Sequence, residues 1–150
     1  MPFKVEWVIP SRVYSIYAYG KVTIEDYQQV TPIAVQHSEM GEAPVHTISD
    51  SRYVTSTPTR TQDIRTMMHS MGTPSEKAGW VVQVTPNPIY RFFGALLVQW
   101  FVKSTRYHSA ATFHDALCFL KERDAGLSTM NVDEVEAAYE AWRQTVNIEA

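Results

Sequence analysis

Between Asp50 and Arg60 the sequence gathers side chains of the kind that hold anions. Asp50, Ser51, Arg52, Thr55, Ser56, Thr57, Thr59 and Arg60 supply many hydroxyls and two fixed positive charges. Hydroxyls donate to phosphate or carboxylate oxygens, and a guanidinium pairs with them as a planar fork. The same residues also have an ordinary use, because Ser, Thr and Pro build turns and caps, and Asp50 can fix a loop by bonding its own backbone. Arg91, near the start of a very apolar stretch, is the other charged candidate. The candidate binding residues are therefore Asp50, Ser51, Arg52, Thr55, Ser56, Arg60 and Arg91, and no residue is assigned a catalytic role.

Other chemistry lacks its spacing. The five histidines, His37, His46, His69, His108 and His114, include no i, i+4 pair, and there is no HExxH and no Cys/His cluster, so no metal is expected. His46, near a strand start, reads as a hydrogen-bonded core or edge histidine. Cys118, between Leu117 and Phe119, reads as a small buried apolar residue rather than a nucleophile. No GxSxG elbow, Walker loop or GxGxxG is found. Neither an enzyme nor a cofactor is expected.

These residues need a frame to position them. Phe3, Val5, Trp7 and Ile9 alternate with Lys4 and Glu6, which marks a strand with one buried face. Pro10-Ser11-Arg12 makes a turn into a second strand, Val13 to Tyr19, forming a hairpin that Gly20 ends. Thr23 caps a helix to about Ser38, with Glu25 and Asp26 at its positive end and Pro32 expected to kink it. Val45 to Ser49 is a short strand, and the polar segment from Ser51 is expected to be a loop. Thr59 and Gln62 have capping-box spacing, opening a helix with Ile64, Met67, Met68 and Met71 on one face, closed by Gly72.

Trp80 to Val84 is a fourth strand. Asn87-Pro88 opens a helix through Phe101 that is apolar nearly all round. Tyr107 to Ala111 is a short fifth strand, and Thr112 with Asp115 starts a helix through Leu120. Asn131 with Glu134 caps a last helix, whose stripe of Val132, Val135, Tyr139, Trp142 and Val146 must be covered by the chain's own domain or by a second copy. Strands alternating with helices imply an α/β domain with a mainly parallel sheet, mixed because of the opening hairpin.

Composition bounds the function classes. The 150 residues carry a net charge of −3 and are 45% hydrophobic, enough for one domain with a real core. No basic stripe points to nucleic acid or to a membrane surface. The most apolar run, Phe92 to Val102, is too short to span a bilayer. A single cysteine and a charged N-terminus that does not read as a signal peptide make a reducing, cytoplasmic setting the expectation.

The element order, with Gly20-Lys-Val-Thr-Ile-Glu-Asp26, Ile48-Ser-Asp50, Gly79-Trp-Val-Val82, Thr112-Phe-His-Asp-Ala-Leu-Cys-Phe-Leu120 and Asp124 to Leu127, resembles the STAS-like (SpoIIAA-like) group of bacterial proteins. The resemblance spans about residues 3 to 127. It implies a single STAS-like α/β domain over 1–127, with about five strands and four helices; the linker and amphipathic helix over 128–150 lie outside it. It implies a non-catalytic regulatory or protein-interaction module, with a protein partner or a second copy in a homodimer. Antagonists of this fold carry Asp-Ser-Ser-Gly-Leu-Gly after the third strand, with a serine phosphorylated by a partner kinase. Asp50-Ser51-Arg52-Tyr53-Val54 keeps the Asp and first Ser, but Arg52 stands at the phosphoacceptor position and the glycines are missing. The alternative is a carrier of a small apolar or anionic ligand, with a pocket between the sheet and the Met-rich and aromatic helices.

Overall fold

The structure is a computed structural model that describes residues 2–58, 60–70, 75–92 and 106–149. β1 (Phe3–Ile9) alternates as its sequence predicts as far as Trp7, with Lys4 and Glu6 exposed and Phe3 buried, but the register shifts between Trp7 and Ile9, and Ile9 packs against a different core cluster from Phe3 and Val5. The chain reverses through Ser11, whose φ of 65° lies in the left-handed region. β2 (Val13–Lys21) then returns antiparallel to β1, with Phe3 opposite Ala18, Val5 opposite Ile16 and Trp7 opposite Tyr14.

α1 (Ile24–Met40) starts in a full capping box: Thr23 Oγ1 accepts the Asp26 N–H, and the Asp26 carboxylate accepts the Thr23 N–H at 2.8 Å. Asp26 therefore does more than complement the helix dipole. Pro32 lies inside α1, which runs on past it to Met40.

β3 corrects the sequence reading. It spans Val45–Ser56, so the expected loop from Ser51 is the second half of a long strand. The polar hydroxyls suggested a loop, but Tyr, Val and Thr suit a pleated strand. β2 also reaches far enough to pair with that half, matching Tyr19 to Tyr53, Gly20 to Val54 and Lys21 to Ser56. Val54 packs against the Phe3, Ala18, Val22 and Val30 cluster beneath α1.

α2 (Thr61–Ser70) follows, while Thr59 and Gly72, its expected boundaries, lie outside the described residues. β4 (Ala78–Val84) and β5 (Tyr107–Ala110) fall where expected. Residues 88–92 are helical after Asn87, whose side chain accepts the Ile89 N–H at 2.9 Å. The rest of that expected helix, residues 93–101, lies outside the described residues, as do Met71 and the side chains of Ile64, Met67 and Met68.

α3 (Phe113–Arg123) is capped by Thr112, and α4 (Val132–Glu149) by Asn131, whose side-chain Oδ1 accepts the Glu134 N–H. Phe113, Leu117 and Leu120 recur at helical spacing and are fully buried, which stabilises the fold by about 2 kcal/mol each relative to exposure. Cys118, expected to be buried, is half-buried between two of them.

Among the described residues the five strands form one sheet in the order β1-β2-β3-β4-β5, antiparallel between β1 and β2 and parallel thereafter. α1 covers one face over the Phe3 cluster. The main core, around Val13, Ile48, Val82 and Val84, lies beneath α3 and α4 on the other. The α4 stripe is spent here: Tyr139 and Val146 are buried, and Val132, Val135 and Trp142 are partly covered. The chain's own sheet is thus the cover that the stripe requires.

Candidate functional site

Asp50 sits where β4 ends, opposite Val84 and Tyr17, at the carboxyl side of the parallel strands. Open α/β sheets bind ligands at that side. Here the place is filled by the protein's own groups. Asp50 is wholly buried, and Arg52 meets it as a fork, Nε to Oδ1 at 2.9 Å and Nη2 to Oδ2 at 2.8 Å. The Arg52 N–H bonds Oδ1 as well, at 3.3 Å. A fourth donor comes from α4: the Tyr139 hydroxyl donates to Asp50 Oδ2 at 2.8 Å. Since that hydroxyl spends its proton on Asp50, Ser15 must donate to it, at 2.9 Å.

The network continues along α4. Arg52 Nη2 reaches Glu140 Oε1 at 2.7 Å, and Glu140 Oε2 accepts Arg143 Nε at 2.7 Å. Two carboxylates thus balance two guanidiniums. The Arg52 guanidinium also lies 5.7 Å from the Phe113 ring centre, and that of Arg143 4.5 Å from the Tyr53 ring centre. Burial works against the charges of Arg52 and Glu140, but Asp50 and then Glu140 hold Arg52 more firmly protonated than usual, and Arg52 and Arg143 hold Glu140 more firmly ionised. The Tyr139 hydroxyl is pushed up, first by burial and then by the Asp50 charge.

The other candidates do not join this pair. Ser51 is half-buried, whereas Thr55, Ser56 and Arg60 are exposed. A strand sends successive side chains to opposite faces, so the expected cluster of hydroxyls is divided between two sides of the sheet. Arg91 lies apart, in the helical segment 88–92. Its Nη2 donates to the Pro86 carbonyl at 3.3 Å, and its Nε is buried with no partner. The neighbouring Tyr107 hydroxyl donates to Gln83 and sits 3.3 Å from the Arg91 carbonyl oxygen. Burial pushes that phenol up to about 12, partly offset by the charge of Arg91.

Sequence reasoning missed Ser15, Tyr139, Glu140 and Arg143. Tyr139 was legible only as part of an apolar stripe. The Glu140–Arg143 spacing was the available signal, since i, i+3 partners share a helix face.

A second network stands at the amino end of β3. His46 is buried, and its Nδ1 accepts the Trp80 N–H at 2.9 Å. The ring proton is therefore on Nε2, which donates to Asp124 Oδ2 at 2.8 Å. Arg12 Nη2 donates to the same oxygen, and the Gly126 N–H to Asp124 Oδ1. Burial lowers the His46 pKa, with Asp124 acting the other way. Both ring nitrogens are committed, so the imidazole has no free lone pair with which to take a substrate proton.

The fold also assembles one group of metal-ligand type that sequence spacing did not show. His114 of α3 lies 2.9 Å from Glu136 and 3.7 Å from Asp133 of α4. Asp133 is 89% exposed, and the group acts as an ion pair between helix starts, with the bond to Glu136 raising the His114 pKa. Among the described residues no helix is long and apolar enough to cross a membrane.

No protein-family model and no curated protein sequence matches the chain. Among solved structures, an uncharacterised protein of the DUF3478 family with a SpoIIAA-like fold, from Shewanella loihica PV-4, superimposes with a TM-score of 0.53 at 18% identity. The match covers 79% of this chain and 91% of that one. With a five-stranded sheet opening on an antiparallel hairpin and continuing in parallel, the chain has the SpoIIAA-like fold.

Proposed function

We propose that the chain is a non-catalytic, regulatory or interaction module that works by docking to a protein. The observation that carries this reading is the fate of Arg52. At the position where antagonists of similar sequence pattern carry a phosphoacceptor hydroxyl, this chain has a guanidinium bound by Asp50 and Glu140. A residue so placed holds two elements together permanently instead of switching. The SpoIIAA-like unit is then residues 1–127, and 128–150 is an addition strapped across it by Arg52. The single cysteine fits a cytoplasmic setting.

Docking surface is available near the carboxyl ends of the strands. Ile89 and Phe92, one helical turn apart, are 60% and 61% exposed, and Tyr53 is exposed on β3. The test is affinity purification of the full chain from the cells that make it, comparing wild type with I89D/F92D. Loss of a specific protein, with the melting temperature unchanged, supports docking at this surface. Recovery of the same proteins by both rules it out.

A second reading, a small anion held at Arg91, is favoured by the buried and unpartnered Nε. Inorganic phosphate, sulfate and citrate should then raise the melting temperature of wild type but not of R91Q. Equal responses exclude it.

A further inference from the structure

β1 is an outer strand of the sheet, and one bond tells which of its backbone groups are free. The Tyr19 N–H donates to the Pro2 carbonyl at 3.1 Å, so these two form a hydrogen-bonded pair next to Phe3 and Ala18 in the antiparallel ladder. Such pairs alternate along a ladder. Lys4 with Tyr17 and Glu6 with Ser15 are therefore the next hydrogen-bonded pairs. The N–H and C=O groups of Phe3, Val5 and Trp7 point away from β2, and among the described residues no backbone group bonds them. The missing N–H of Pro2 faces inward and takes no donor from the outer edge.

We propose that this edge pairs with a second copy of the chain, β1 antiparallel to β1 about a twofold axis at Val5, joining the two sheets into one. The pairing rests on reading the chain as a docking module and names a second copy as the partner.

The charges choose the register. Self-pairing through the free groups must set outward-facing residues opposite one another. Centred on Lys4, it would oppose Lys4 to Lys4, and centred on Glu6 it would oppose Glu6 to Glu6. Centred on Val5, it sets Phe3 against Trp7 and Val5 against Val5, so all three free residues find partners. Lys4 then lies opposite Glu6 twice, at the non-hydrogen-bonded positions where side chains approach most closely.

Exposed charges usually protect an edge strand from other strands. Lys4 and Glu6 do so in the adjacent registers, where like charges meet. Their opposite signs, two residues apart, make a single register attractive. That separates one defined pair from indiscriminate edge-to-edge growth, and β1 carries its own complement where an unrelated strand would need a matching pattern.

Sedimentation velocity of the full chain over a concentration series at low salt tests this. Wild type should show a monomer–dimer equilibrium. K4E and E6K each put like charges opposite one another and should weaken it about tenfold, whereas K4E/E6K restores the opposite pairs and should return it to within about threefold of wild type. V5P removes a donor that faces away from β2, leaves the β1–β2 ladder intact and should weaken dimerisation by more than about tenfold. Near-UV circular dichroism checks that each variant is folded.

Rescue by the double swap is the result a merely protective role cannot produce. A double swap no better than the single variants overturns the pairing, as does a dimer indifferent to V5P. A wild type that stays monomeric at every concentration also overturns it, yet leaves docking to a different protein untouched. Loss of partners in I89D/F92D with an intact dimer would fail neither.

Discussion

The two halves of β3 carry two charge networks built on different principles. At the amino end, His46 is a neutral ring held between the Trp80 N–H and Asp124, with Arg12 as the charge partner. In the carboxyl half, Asp50, Arg52, Glu140 and Arg143 are all fixed charges in a neutral group of four. The first ties the turn after α3 to the start of the strand, and the second ties α4 to the strand's far half. One depends on a histidine whose burial disfavours its charged form, and the other on carboxylates paired with guanidiniums. The comparison predicts that the carboxyl network is the stronger tie and that only the amino network responds to mild acid.

Asp50→Ala tests this most severely. It leaves the half-buried Arg52 with a single carboxylate, and removing the buried partner of such a pair costs about 3–5 kcal/mol. The urea midpoint should fall accordingly, and a loss below that of Gly79→Ala would break the comparison. Gly79→Ala probes the amino network: its methyl would lie 2.5 Å from His46 Nδ1 and 3.0 Å from the Pro44 side chain. The ring has to move, at about 1–3 kcal/mol, again read from the urea midpoint. Tyr139→Phe removes one donor from Asp50 and strands the Ser15 hydroxyl, for about 1–2 kcal/mol.

The smallest effect is a slope. Burial holds the folded pKa of His46 below the ordinary 6.5. Below pH 6.5 the unfolded chain gains a proton that the folded chain refuses, so stability falls as pH drops from 6.5 toward the folded pKa and is level above it. His46→Gln should flatten that limb in urea titrations at several pH values. Glu140 acts further into acid. Its folded pKa lies below 4.5, so its contribution is present above that value and is lost as pH falls through the folded pKa. A slope of equal size in wild type and His46→Gln would remove the distinction between the two ends.

Much of the frame was legible because it is written locally. Thr23 with Asp26, Thr112 with Asp115 and Asn131 with Glu134 place three helix starts from residues three apart. The hairpin was readable from alternation through Trp7. The far half of β3 was not, because its strand character comes from pairing with β2 rather than from an apolar pattern. The role of Arg52 was hidden for a related reason. Its position stands out in the sequence as the odd one, but Glu140 lies 88 residues further on, and no local pattern encodes such a meeting. The hydroxyl-rich segment looked like a site because composition cannot show which side of a strand each hydroxyl takes.

The strap between Arg52 and α4 also bears on the order in which the molecule assembles. β3 is synthesised long before Tyr139, Glu140 and Arg143 exist, yet Asp50 and Arg52 need them to complete their bonds. Contacts so distant in sequence form late, after their loop-closure entropy has been met. During synthesis the sheet therefore waits with an incompletely bonded charged pair, and with Ser15 and Tyr17 lacking their α4 partners. The docking of α4 is the step that closes the main core, which makes the nascent sheet, more than the finished protein, the form most exposed to misassociation.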